Sequence, residues 1–224
     1  MRLARSARTA EAPNFVRELR EGWRAFREHT WVWLLTGWIS LYFLITYAPF
    51  FVLGPFIAKE SMGGAAAWAT IVTGEAIGAL IGGIVGLRVR PRHAMFVIGA
   101  LFMVTALQSA LLALRAPYLA IAPAALLAGF AFSYATVVWD TSLQRRIAPE
   151  KLFRVSAYNW MGAMAFLPAG YALAGPISQL VGMSTYLWFG AVWVLLSTAV
   201  VLCVPEVRGF RDEEPLVMPA VAQA

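Results

Sequence analysis

The chain has 224 residues, of which 60% are hydrophobic and 13% are charged, and its net charge is +6. Soluble domains are about 45–50% apolar and about 25% charged, so this composition excludes one large soluble domain and indicates a polytopic membrane protein. The basic residues lie in the gaps between apolar runs and not on one soluble face, which argues against a nucleic-acid partner.

The amino-terminal region predicts a short disordered segment followed by a surface helix. Residues 1–13 are rich in Arg, Ala and Ser and are expected to be disordered. Residues 14–29 repeat apolar side chains at steps of three and four while charged residues take the other faces, as in an amphipathic linker helix. This helix is either a solvated connector or a helix that lies on an anionic membrane surface. Both interpretations place it in the cytoplasm.

Six apolar runs follow, and each is long enough to cross the hydrocarbon core as a helix. Pro49 and Pro55, near the end of the first run, predict a kink there. The residues after 205 are polar and contain proline, so 206–224 are expected to form a disordered cytoplasmic tail. The sequence therefore predicts an all-α membrane protein whose bundle occupies residues 30–205, with spans at about 31–52, 68–87, 94–114, 118–139, 158–178 and 186–204.

The distribution of basic residues predicts the orientation of these spans. Sixteen of the 18 Lys and Arg residues lie in the amino-terminal segment, in the loops after the second and fourth spans, and in the tail. Only Lys59 and Arg115 lie in loops on the other side. Because cytoplasmic loops carry an excess of Lys and Arg, we expect a multi-pass protein with both termini in the cytoplasm.

The second span combines a single acid with a row of small residues. Residues 68–87 contain one charged side chain, Glu75, and the run ends in a basic turn at 88–93. Four glycines recur at every fourth position, a spacing that lets a neighbouring helix backbone approach closely. At 100° per residue the carboxyl of Glu75 projects over this small-residue side, which is expected to face other helices. The glycines that form the row are Gly74, Gly78, Gly82 and Gly86.

Glu75 is the leading candidate for a functional residue. A carboxylate inside a span costs about 2.5–3.5 kcal/mol on insertion scales and is a functional-site hypothesis by default. One interpretation is a coupling or substrate contact, in which Glu75 exchanges protons or recognises a cation. The other is a structural carboxyl that is protonated or bonded to a neighbouring hydroxyl, or that stays hydrated near the outer interface.

Other polar and aromatic residues form two further candidate groups. Tyr42 and Tyr47, with the polar Gln108 and Asn159, are candidates for coupling or substrate contact, the alternatives being interhelical hydrogen bonding and plain packing. Asp140 follows the fourth span and lies close in sequence to three arginines. These arginines are Arg145, Arg146 and Arg154. Together with Asp140 they form either an ion-pair network that fixes the loop in place or a cytoplasmic gating network.

Catalytic and metal chemistry have no support in the sequence. It contains no nucleophile–base constellation, phosphate loop or metal-ligand set, and we expect neither an enzyme nor a cofactor. The single cysteine, Cys203, lies in an apolar run. An intramembrane enzyme is therefore the least favoured class.

Three blocks of the sequence carry a family resemblance. They are FVRELREGWRAFREHTWVW, then VLGPFIAKESMGGAAAWATIVTGEAIGALIGGIVGLRVRPR, and then VVWDTSLQRRIAPEKLFRVSAYNWMGAMAFLPAGYALAGP. Together they resemble the carboxy-terminal six-helix half of a major facilitator superfamily transporter, of the bacterial drug and secondary-metabolite exporter type. The first block is similar to the linker and the start of helix seven, the second to the loop after helix seven and to helix eight, and the third and most specific to helices ten and eleven.

The resemblance implies a secondary active efflux transporter for small amphiphilic molecules in a bacterial plasma membrane. Members of that family have twelve helices in two halves, with the substrate path between them. This sequence departs from the family where Leu87, and not an acid, precedes Arg88. A charge-relay role for that loop is therefore not expected.

One half alone would leave its path-lining faces uncovered. We therefore expect an amino-terminal half as a separate chain, or a second copy of this chain, as partner in the lipid bilayer. The alternative function is a non-transporting protein, either a truncated fragment or an accessory subunit that binds partner helices.

Overall fold

The structure is a computed structural model that describes residues 20–205 except 21, 25 and 90, and the backbone but not the side chain of residue 150. The predictions for residues 1–13 and 206–224, and for the first turns of the linker helix at 14–19, lie outside the described residues.

Within the described residues every regular element is a helix, and six helical segments are long and apolar enough to cross a membrane. This confirms the prediction of an all-α protein with six apolar spans. We call the end at which the first span begins and the second ends the basic end, because Arg88, Arg92 and Arg145 lie there. The six spans are α1 (Thr30–Ser61), α2 (Ala65–Arg88), α3 (Ala94–Ala113), α4 (Tyr118–Arg146), α5 (Pro149–Met164 and Leu167–Val181) and α6 (Met183–Cys203).

Three spans extend well beyond the apolar runs that predicted them, and the fifth of the six begins at Pro149 and not near 158. The first continues through 53–61 to Ser61, and the chain turns only at Gly63 and Gly64, whose φ angles of 88° and 93° suit glycine. The fourth continues through the polar residues 140–146, because charged side chains at the end of a long helix do not interrupt its backbone hydrogen bonds. It stops before Pro149, which disfavours the helical conformation at the preceding residue.

α1 is interrupted by a π-helical stretch at Phe43–Tyr47, where the sequence predicted a proline kink. Pro49 has no N–H group to donate to the carbonyl of Ile45. The N–H of Ala48 instead donates to the carbonyl of Phe43, five residues back. The π-helical geometry therefore accommodates the proline without breaking the span.

The closest pair of helices is α2 and α4. A Cβ atom at Gly74 would lie 2.8 Å from the carbonyl oxygen of Ala122, and one at Gly78 or Gly82 would overlap the backbone of α4. At Gly86 an added Cβ would lie 2.9 Å from the side chain of Val137. The four glycines of the row therefore all face α4.

The buried apolar side chains of the described residues form two large clusters, one in each half of the bundle, and a smaller third cluster at the linker helix. The cluster in the basic half contains aromatic rings of α1, α3 and α4, and the cluster in the opposite half contains aliphatic and aromatic side chains from all six spans.

Burial is uneven between the spans. Only 22% of the most apolar stretch of α2 and 11% of that of α5 is buried, against 33–56% in the other four.

The described part of the linker helix packs against the junction of α4 and α5. Phe26 is buried with Leu143, Ile147 and Val155. The ring of Trp23 lies 5.9 Å from that of Tyr158, although 49% of its surface remains exposed. The apolar face of this helix therefore contacts protein, which favours a docked connector over a helix whose apolar face is buried in lipid.

One ion pair tethers the same helix. Lys151 donates a 2.9 Å hydrogen bond from Nζ to Oε2 of Glu28. This hydrogen bond and the charge of Lys151 hold the pKa of the Glu28 carboxyl below its usual value.

Candidate functional site

Glu75 lies near the middle of α2, ten residues after Ala65 and thirteen before Arg88, or about 15 Å and 20 Å along the helix axis. Its backbone carbonyl faces Gly129 of α4, where an added Cβ would overlap it. The side chain is half-buried, and its Oε2 is fully buried without a hydrogen-bond partner. A buried, unpaired carboxyl oxygen is costly. This position is therefore suited to take up a proton or a hydrogen-bonding ligand.

Two tyrosines of α1 lie within electrostatic range of Glu75. The carboxyl of Glu75 acts on the hydroxyl groups of both Tyr42 and Tyr47. The two rings lie 6.3 Å apart. The structure therefore brings together three of the five residues predicted for coupling or substrate contact, on two adjacent spans in the middle of the bundle.

The two tyrosines differ in their surroundings. Tyr42 is buried, its ring lies 5.1 Å from that of Phe102, and its hydroxyl group lies near Thr105. Tyr47 is half-buried and lies 4.6 Å from the ring of Phe51. Tyr42 is thus mainly a core residue, whereas Tyr47 is the tyrosine that a ligand beside Glu75 can reach.

Gln108 lies in a polar layer of α3 between the two apolar clusters. It is 3% exposed and its Oε1 has no hydrogen-bond partner, and the hydroxyl oxygen of the neighbouring Ser109 is also buried and unpaired. Thr105, one turn away, donates to the carbonyl of Phe102 at 2.7 Å. Gln108 therefore retains unused hydrogen-bonding capacity inside the bundle.

Asn159 lies apart from Glu75, in the basic half of the bundle. It is 5% exposed and its amide is 2.8 Å from the hydroxyl oxygen of Thr36. It lines a cavity of about 90 Å³ between α1, α3, α4 and α5. Six aromatic side chains line the same cavity: Trp38, Phe43, Phe102, Phe132, Trp139 and Trp160.

The cavity and the Glu75 region share an aromatic wall. Phe43 and Phe132 line the cavity, and their rings lie 5.2 Å and 6.2 Å from the ring of Tyr47. The two groups of residues are therefore neighbours across one layer of side chains.

The expected ion-pairing of Asp140 is not present among the described residues, in which no ion pair joins it to an arginine. The reason is that α4 continues to Arg146. On a helix, residues five and six positions apart point in different directions, so Asp140 does not face Arg145 or Arg146. Arg154 lies beyond the turn into α5, where its Cβ approaches Gly22 of the linker helix. Gating by these residues stays a prediction.

Several features of this region could not be found by sequence reasoning. The contact of Thr36 with Asn159 joins residues 123 positions apart, and no pattern within one sequence pairs them. Trp139 and Trp160 look like residues at the ends of spans, and only the tertiary packing places both beside one cavity. Among the described residues, no group of three or more His, Cys, Asp or Glu side chains is arranged to hold a metal ion.

No family model matches the chain, and the comparisons with curated proteins and with solved structures gave no match.

Proposed function

We propose that this chain is one six-helix half of a secondary active efflux transporter of the major facilitator type, which exports small amphiphilic molecules across a bacterial plasma membrane. Support comes from six apolar spans, from the sequence blocks that resemble the carboxy-terminal half of such transporters, and from the basic residues at one end of the bundle. In this proposal the basic end and both termini are cytoplasmic.

The observation that carries the proposal is Glu75. It is an ionisable group in the middle of an apolar helix, one of its carboxyl oxygens is buried without a partner, and Tyr47 lies within its electrostatic range. Ionisable residues in this setting mark ion and substrate paths. Glu75 is proposed to take up and release the coupling proton, and Tyr47 to contact the substrate beside it.

α2 and α5 are the least buried spans, so a partner has most room to pack there. These two spans expose large apolar side chains, among them Leu80 at 66% and Leu180 at 86%. We propose that an amino-terminal half, or a second copy of this chain, packs against these spans and completes the substrate path.

The test uses everted vesicles from cells that express the full chain together with its six-span partner. We expect Glu75→Gln to abolish accumulation of a fluorescent amphiphilic dye driven by a proton gradient, because glutamine keeps the shape of the side chain but cannot titrate. The matched control is Glu60→Gln, which removes a half-exposed carboxylate that pairs with Arg115 at 3.2 Å at the opposite end of the bundle. Unchanged dye accumulation and pH dependence in Glu75→Gln would refute the coupling role.

The second candidate function is a non-transporting subunit that binds partner helices. The same low burial of α5 favours it, because an accessory subunit also needs an open helix face. Replacing Cys203 by serine and Leu180 by cysteine leaves one reactive thiol on α5, which is expected to cross-link to the partner in native membranes. Cross-linking without dye transport by the complex supports the subunit, and cross-linking with Glu75-dependent transport supports the transporter.

A further inference from the structure

The aromatic cavity in the basic half has three polar side chains in its lining, Asn159, Thr36 and Thr136. The Thr136 hydroxyl donates to the carbonyl of Phe132, so Asn159 and Thr36 form the polar pole. The Thr36 hydroxyl oxygen is 2.7 Å from the carbonyl oxygen of Val32 and 2.8 Å from Oδ1 of Asn159. A hydroxyl group carries one proton and the carbonyl can only accept, so the hydroxyl donates to Val32. The short contact with Asn159 then requires the amide to be turned over, with Nδ2 donating to Thr36.

In that orientation the carbonyl oxygen of Asn159 is left as an acceptor without a partner. Asn159 makes no other hydrogen bond with the described residues, and its side chain lines the cavity. A buried acceptor without a partner favours a ligand that donates a hydrogen bond. The acceptor therefore specifies a donor group on any occupant of the cavity.

The size and lining of the cavity specify the rest of the occupant. Drug-sized ligands occupy about 300–1,000 Å³, whereas a dry cavity of about 150 Å³ binds benzene. At about 90 Å³ this cavity is smaller than the one that binds benzene, so a single ring fits only because the cavity is partly open. The aromatic walls favour ring contacts in edge-to-face or offset geometry. Trp160, 44% exposed, lies at the margin of the cavity.

We propose that this cavity binds the aromatic end of a small amphiphilic molecule, a single ring whose hydroxyl or amino group donates a hydrogen bond to Asn159. The proposal rests on the proposed transport function and names the part of the substrate that this half recognises. Because Phe43 and Phe132 separate the cavity from Tyr47, a ligand seated here contacts the wall of the Glu75 region. The rest of a longer molecule would leave the cavity past Trp160.

The test measures binding, so it does not depend on transport. The full chain is placed in lipid nanodiscs and titrated with 4-fluorophenol, and the fluorine NMR signal is followed. We expect a saturable signal that is shifted by the cavity rings. Ala163→Phe, which fills the cavity from α5, is expected to abolish that signal. The matched control Ala172→Phe adds the same ring at an exposed position of α5 and is expected to keep it.

Two further variants test the polar pole and guard against misfolding. Asn159→Leu keeps the volume and removes the acceptor, and is expected to weaken binding by about threefold to tenfold, the range of one net hydrogen bond. Trp160→Leu changes an exposed residue, which the fold tolerates, and is expected to weaken binding by removing one wall. Far-UV circular dichroism identifies variants that remain folded.

The proposal is overturned if the wild-type chain gives no saturable signal, if folded Ala163→Phe keeps it, or if Asn159→Leu binds with unchanged affinity. Failure of the transport proposal gives a different pattern, in which the cavity binds 4-fluorophenol but the Glu75-dependent dye accumulation is absent. Dye accumulation without binding would refute the cavity proposal alone.

Discussion

A single methyl group at Gly78 is expected to separate α2 from α4. In Gly78→Ala the new Cβ would lie 2.7 Å from the carbonyl carbon and 3.0 Å from the Cα of Leu126, and closer still to its carbonyl oxygen. Carbon atoms in contact prefer about 3.5–4.0 Å. Helix α4 therefore has to retreat by at least about 1 Å, because the atoms in the way belong to its backbone and cannot rotate aside.

That retreat weakens the whole interface and not one contact. A gap of about 0.5–1 Å removes about a quarter to a half of the attraction between two atoms, and Gly74 and Gly82 contact α4 in the same row. Overpacking costs about 1–3 kcal/mol, and the better helix propensity of alanine returns up to about 1 kcal/mol. We expect a net loss of about 1–2 kcal/mol in the free energy of unfolding.

The assay is unfolding of the full chain by SDS in mixed micelles, followed by far-UV circular dichroism. Gly37→Ala is the matched control, because an added Cβ on Gly37 in α1 meets nothing within 4 Å. The control is expected to be neutral or up to about 1 kcal/mol more stable. If Gly78→Ala unfolds at the same SDS fraction as Gly37→Ala, the close approach of α2 and α4 is wrong.

Two further predictions concern polar contacts of α1 and of the linker helix. Thr46→Val removes the 3.1 Å hydrogen bond from the buried Thr46 hydroxyl to the carbonyl of Gly190 and is expected to cost about 0.6 kcal/mol and at most about 1.7; SDS unfolding checks this, and a stabilised variant would contradict it. Because the pKa of Glu28 is lowered by its hydrogen bond from Lys151, its contribution to docking is complete above the ordinary Glu value of about 4.3 and is lost as the pH falls through the lower folded value. The fluorine signal of 5-fluorotryptophan at Trp23 is expected to report this loss, and persistence of the same pH dependence in Glu28→Gln would contradict it.

The number and type of the spans could be predicted because they depend on local composition. An apolar run of about 20 residues has no alternative in lipid but a helix, and the glycine spacing of α2 is visible in the sequence. The residues at which the helices end cannot be read from the apolar runs. The apolar run of α4 ends at Trp139 whereas the helix ends at Arg146, because beyond the bilayer a helix needs only satisfied backbone groups.

The contacts that build the candidate site depend on tertiary structure. Glu75 can be identified from the sequence, because a carboxyl group in an apolar run is costly. The cavity beside Asn159 forms only when four spans pack together. The sequence likewise does not show that the linker helix packs against the bundle. Its apolar stripe is compatible with lipid or protein, and only the positions of Leu143 and Val155 decide between them.

The π-helical stretch of α1 explains why both tyrosines lie within electrostatic range of Glu75. In a regular α-helix, residues five apart point about 140° away from each other, given 3.6 residues per turn. Hydrogen bonds to the fifth residue along, as between Ala48 and Phe43, turn such residues toward one face. The rings of Tyr42 and Tyr47 are accordingly only 6.3 Å apart. The same stretch is held from two sides, by Gly170 of α5 against Phe43 and by Gly190 of α6 against Ile45. Pro49 favours the π-helical turn and so positions the two tyrosines. It therefore belongs to the candidate site, although it does not line the cavity.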